Sequence, residues 1–115
     1  MQSFSPQYTD ELDKTLKAIA NPIRRAIIEQ VAEKACTVNE LAEQHFISLP
    51  AISQHLRILE DAGLITQSIK GRVRKCHLEH KPISMIFSWL VYYNIFWNDF
   101  LDDMTEELEA EQTTY

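Results

Sequence analysis

Glycine is nearly absent: the 115 residues contain two, Gly63 and Gly71. That leaves no room for a glycine-rich phosphate loop. Neither a nucleophile elbow nor a paired metal-ligand motif is found, so an enzyme is not expected. Long apolar runs are missing too. The longest charge-free stretch, residues 82–98, holds Ser84, Ser88, Tyr92, Tyr93 and Asn94, and is too polar and too short for lipid. The opening MQSFSPQYTDEL has neither the basic start nor the apolar core of a signal peptide. A cytoplasmic location with no membrane partner is therefore expected. At this length the chain reads as one domain, residues 1–115, of a size that often gains stability by association.

Positive charge is also in deficit, with a net charge of −6, but its distribution is uneven. Residues 1–47 carry five basic and seven acidic groups, residues 48–81 six basic and three acidic, and residues 99–111 seven acidic and none basic. The middle third is thus cationic and the C-terminal stretch strongly anionic. Contacts to phosphate depend on local charge, so the total does not exclude a nucleic-acid partner. The acidic remainder is expected to suppress loose, non-specific affinity.

What the chain does have lies between Thr37 and Leu64. Thr37 and Glu40 have the spacing of a capping box. Ser48 is a second N-cap, with Pro50 in the first turn, where a missing amide proton costs little. The first helix buries Val38, Leu41 and Ala42, the second Ile52, Leu56 and Leu59, and Gly63 ends the second. Two short helices joined by a tight turn form a helix-turn-helix. Opposite its buried stripe the second helix offers Pro50, Ser53, Gln54, Arg57 and Asp61. Gln and Arg make bidentate bonds to base edges, and Ser suits a phosphate or a base. The plainer reading of that face is ordinary solvated surface.

Residues 64–70 and 73–79 alternate and carry β-branched side chains around Gly71, the pattern of a hairpin. Its tip holds Lys70, Arg72, Arg74 and Lys75. A cationic hairpin beside a polar helix is a wing: the helix enters the major groove while the wing takes phosphates or the minor groove. The fold class is therefore mainly α with a small β-wing, a winged helix-turn-helix.

The ordered segments ANPIRRAIIEQ, TVNELAE, LPAISQHLRILEDAGLI and KGRVRKCHLE resemble the ArsR/SmtB-type winged-helix repressors, from about Leu16 to Leu78. Pro22-Ile23-Arg24-Arg25 resembles the autorepressor-like branch. The resemblance implies a small homodimeric transcriptional repressor that binds its own inverted-repeat operator on double-stranded DNA. Expected groove contacts are Ser53 and Gln54, with Leu49 and Pro50 against base methyls or the backbone. Arg57, Lys70, Arg72, Arg74 and Lys75 are expected at or near phosphate. Members of the family often carry a polar or basic residue where this chain has Leu49, which shifts the expected sequence preference.

Many relatives sense metals, but the residues for it are missing here. The helix before the recognition helix has no Cys, and the last helix has no Cys and no His after His80. No metal site and no cofactor are expected, and no effector can be named. His55 is expected to pack or cap, and His77 and His80 to be solvated. Cys36 and Cys76 become neighbours if the segment 34–36 forms a third strand beside the wing. A thiol- or small-ligand-responsive regulator of the same fold is thus an alternative, although cytosolic thiols are usually buried and inert.

The flanking helices complete the pattern. Thr9 is placed as the cap of a first helix over about 9–20, with residues 1–8 outside it and Leu12, Leu16, Ile19 and Ala20 on its apolar face. Asn21-Pro22 restarts the chain as a second helix. Arg24 and Arg25 have two readings, a phosphate contact and the more ordinary solvated or ion-paired role. A last helix over about 83–111 carries two apolar stripes, one through Ile83, Ile86, Leu90, Tyr93, Trp97, Leu101, Met104 and Leu108, the other through Met85, Trp89, Tyr92, Phe96 and Phe100. A small body has surface for one stripe only, so the other is assigned to a second copy. Folding back onto the chain itself, or an aromatic ligand pocket between copies, are the alternatives. The expected dimer contacts are Leu12, Leu16, Trp89, Tyr93, Phe96, Trp97, Phe100 and Leu101. A DNA-independent interaction module built on this helix is the competing function, and the four cations around Gly71 argue against it.

Overall fold

The computed structural model describes residues 6–113, with side-chain exposure over 9–110. Five helices and three short strands follow in the order α1 (Pro6–Ile19), α2 (Pro22–Glu33), β1 (Cys36–Thr37), α3 (Val38–His45), α4 (Leu49–Asp61), β2 (Ile65–Lys70), β3 (Val73–Leu78) and α5 (Lys81–Thr113). The sheet is antiparallel in the order β1-β3-β2. This is a winged helix-turn-helix.

Local chemistry accounts for most boundaries. Asn21 Oδ1 accepts the amides of Ile23 and Arg24, and Pro22 opens α2 where no amide is needed. Thr37 Oγ1 accepts Glu40 N at 3.1 Å, and Ser48 Oγ accepts Ala51 N at 3.3 Å. In the wing Lys70 pairs with Val73, leaving Gly71-Arg72 as a two-residue loop. Gly71 has φ +64° and Arg72 does not share the positive φ, which fits a type II′ turn and the twist of the strands it joins.

One boundary differs from the sequence-based expectation. α1 begins at Pro6, so Thr9 lies within it and Asp10 and Glu11 are not in its first turn. Proline suits the first helical position, and Thr9 and Asp10 sit on the exposed side, where helix propensity costs little. Residues 1–5 lie outside the described residues.

The core joins all the elements from α1 to β3. Ala18, Ile27, Leu41, Ile52, Leu56, Leu59, Leu64, Ile65 and Cys76 are its fully sealed members, with Val31, Cys36, Val38 and Ala42 completing it. Each large aliphatic side chain sealed in this way contributes about 1.5–3 kcal/mol relative to exposure.

α5 behaves differently. Its first three turns lie on the body, with Pro82, Met85, Ile86, Trp89 and Val91 half-buried. From Tyr92 onward every described side chain on both apolar stripes is exposed. The expectation that the body covers one whole stripe is therefore corrected. A 33-residue helix is about 50 Å long, and the molecule measures 76 × 30 × 20 Å. The helix outruns the surface available to it. Its rings then pack along the helix itself: Trp89 meets Tyr93 edge-on at 5.0 Å between centroids, and Trp97 stacks on Phe100 at 5.5 Å.

Candidate nucleic-acid interface

α4 is anchored by Ile52, Leu56 and Leu59, all sealed. At about 100° per residue this turns Pro50, Gln54, Arg57 and Asp61 outward, and all four are exposed. Ser53 is half-buried and Leu49 is 48% exposed. The helix thus offers an amide and a guanidinium from adjacent turns on a rigid base.

The wing stands off the body. Along β3 the side chains from Val73 to Lys75 are exposed and burial begins at Cys76; along β2 it ends after Gln67. Lys70, Arg72, Arg74 and Lys75 are therefore all in solvent, with Ile69 and Val73 exposed between them. Nearer the base, Ser68 Oγ lies 2.9 Å from His77 Nε2, and Thr66 Oγ1 donates to Glu79 Oε1 at 2.9 Å. These side-chain bonds cross the hairpin and stiffen the wing at its root. α4 packs on β2, so helix and wing form one continuous structure.

Two arginines lie elsewhere than a phosphate-contact reading would place them. Arg24 Nε donates to Ala18 O at 2.6 Å and Nη2 to Lys17 O at 3.1 Å, and Arg25 Nη1 donates to Ile19 O at 2.8 Å. They bind the last carbonyls of α1, where cations complement the helix dipole. The signal was present in the sequence: two cations placed just after a helix end. Arg24 Nη1 also lies 3.3 Å from His55 Nδ1. A guanidinium only donates, so Nδ1 must accept and the ring is neutral there. Burial first, then Arg24 and His45, hold the His55 pKa below its ordinary value.

Cys36 and Cys76 face each other directly across β1 and β3, both free and both buried. Burial first, then Glu60 and Cys36, push the Cys76 thiol from 9.0 up to about 11, against a small opposing effect of Arg74. Burial and Glu40 likewise raise Cys36. Both are thiols rather than thiolates at neutral pH, which slows oxidation. Among the described residues no group of three or more His, Cys, Asp or Glu is placed to hold a metal ion, and no helix is long and apolar enough to cross a membrane.

Of the residues expected at a dimer contact, Leu12 is already buried within its own chain and Leu16 half-buried. Trp89 is half-buried, while Tyr93, Phe96, Trp97, Phe100 and Leu101 are exposed. The most exposed large apolar side chain among the described residues, Phe46 at 94%, was not anticipated.

Comparison with known proteins decides the family. Residues 21–67 match the family described as bacterial regulatory protein, arsR family. The chain is 31% identical over 99 residues to the HTH-type transcriptional regulator Rv2034 of Mycobacterium tuberculosis, covering 86% of this chain and 90% of that one. This chain belongs to the ArsR family. Like the crystal structure of an ArsR family transcriptional regulator (32% identity, TM-score 0.76, covering 85% of this chain and 97% of that one), it is a winged helix-turn-helix regulator. The fold also matches a solution structure of a Mycobacterium bovis domain described as a homodimeric winged helix-turn-helix DNA-binding domain. That pair is 21% identical with a TM-score of 0.63, covering 84% of this chain and 94% of the domain.

Proposed function

We propose that this ArsR-family chain is a homodimeric repressor that binds an inverted-repeat operator at its own promoter, in the cytoplasm. The carrying observation is the exposed Gln54 and Arg57 face of α4, set opposite its sealed stripe and continuous with a wing whose four cations are all in solvent. α4 enters the major groove, where Gln54 and Ser53 address base edges and Leu49 and Pro50 lie against methyls or backbone. Arg57, Lys70, Arg72, Arg74 and Lys75 neutralise phosphate. The uncovered stripes of α5, with the half-buried Leu16 of α1, meet a second copy. This is supported by the homodimeric state of the M. bovis domain of the same fold. Two-fold symmetry then sets the recognition helices about 34–36 Å apart, one DNA turn. Occupying a promoter in this way represses by exclusion.

A gel shift with DNA from upstream of the gene tests the reading. A salt-sensitive complex with an inverted repeat supports it; equal affinity for random DNA overturns it. Gln54→Ala is expected to cost about 1–3 kcal/mol on the operator and relax base choice, whereas Arg72→Ala weakens all sequences alike. Equal losses on operator and random DNA for Gln54→Ala would remove base readout from that residue.

A further inference from the structure

α3 and α4 end in the same hydrogen-bond pattern. At the end of α4, Leu64 N donates to Leu59 O at 2.9 Å and Gly63 N to Glu60 O at 2.8 Å. At the end of α3, Ile47 N donates to Ala42 O at 3.2 Å and Phe46 N to Glu43 O at 3.3 Å. Both are Schellman closures, which need one left-handed residue. In α4 that residue is Gly63 at φ +74°; in α3 it is Phe46 at φ +55°, the one non-glycine residue with positive φ among those described. A bulky residue there is strained where glycine is not. The ring is nevertheless 94% exposed, so packing does not repay the strain. A strained backbone carrying a bare aromatic ring suggests a role outside the fold of this chain.

Its position indicates which role. Phe46 lies two residues before the Ser48 cap, and it shares an open groove with Ile47 and with Leu49, the first residue of α4. The N-terminal residues of a recognition helix are the ones that meet base edges, so this apolar patch is continuous with the reading face. Glu43 also lines the groove, and its carboxylate disfavours phosphate at that spot. What remains on duplex DNA for an apolar ring beside Leu49 is the 5-methyl group of thymine, which side chains of this kind contact in the major groove.

We infer that Phe46, together with Leu49, is an apolar reading element that selects thymine at the edge of each operator half-site. The inference rests on α4 being the helix that enters the groove. Phe46→Gly removes the ring and relieves the backbone together. A residue present for the fold would lose stability on this change, but here the urea unfolding midpoint is expected to rise. Operator affinity is expected to fall about tenfold. Replacing individual operator thymines by deoxyuridine deletes only the methyl group. One position per half-site should then cost the unaltered protein about tenfold and cost Phe46→Gly nothing further.

Undiminished operator binding by Phe46→Gly overturns the inference, as does a loss not coupled to any thymine methyl. A shift of Phe46→Gly toward monomer in ultracentrifugation also overturns it, by assigning the ring to a contact between copies. If the unaltered protein binds no inverted repeat, the groove-reading function itself fails and Phe46 falls with it. If that protein binds and Phe46→Gly binds equally, only the Phe46 assignment fails.

Discussion

Leu59 and Trp97 are both large apolar side chains on helices of the same chain, yet Leu59 is sealed and Trp97 is 55% exposed. The difference lies in what surrounds each helix. α4 is enclosed by α1, α2, α3 and β2, so its apolar stripe finds a partner within the chain. α5 rests on α1 for its first turns and then continues past the edge of the body, where the described residues leave its side chains exposed. Apolar side chains on a helix therefore end in a closed core in one region and in solvent in the other.

Truncating each region should break this contrast in different ways. Leu59→Ala opens a cavity in a closed core and is expected to lower unfolding free energy by about 2–5 kcal/mol, read by urea titration. A cost below 1 kcal/mol would mean that the body is not close-packed. Trp97→Glu places a charge on the uncovered stripe. It is expected to weaken self-association by about 2 kcal/mol or more while leaving the far-UV spectrum of the body intact. An unchanged dimer in ultracentrifugation would move the interface away from α5.

Titration sharpens the comparison from inside the core. Cys76 titrates at about 11 in the folded chain and near 9.0 when exposed, so the folded state keeps a proton that the unfolded state releases between these values. The stabilisation is complete below about pH 9 and is lost as pH rises towards 11, by about 2–3 kcal/mol. Cys76→Ala should remove most of that slope, leaving the share of Cys36, whose pKa is also raised. The smallest effect expected is at His55, whose folded pKa is lowered. Its contribution is present above pH 6.5 and is lost as pH falls below it, because the unfolded chain takes up the proton first. His55→Gln, which still accepts from Arg24, should flatten stability across that range. A slope that survives would assign it to other groups.

Much of the helix-turn-helix and of the wing was legible because the signals are local. The caps at Asn21, Thr37 and Ser48, the stripe Ile52-Leu56-Leu59 and the cationic turn around Gly71 each act within a few residues. The opposed pair Cys36 and Cys76 was also within reach, since alternation in the wing limits which strand neighbours are possible. Arg24 and Arg25 were harder, because their partners are carbonyls of the preceding helix six and seven residues away. Phe46 was missed because a left-handed cap is ordinarily announced by glycine or asparagine. No periodicity in the sequence marks a phenylalanine that faces water.

Residue spacing alone determined that this chain makes a helix-turn-helix, a wing and a long apolar last helix, because caps, stripes and turns are short-range matters of hydrogen bonding and periodicity. Only the tertiary structure decided where burial stops along α5, which arginines are engaged with α1, and that Phe46 stands in solvent. Those outcomes depend on how much surface the rest of the chain provides, a quantity that no local pattern of residues encodes.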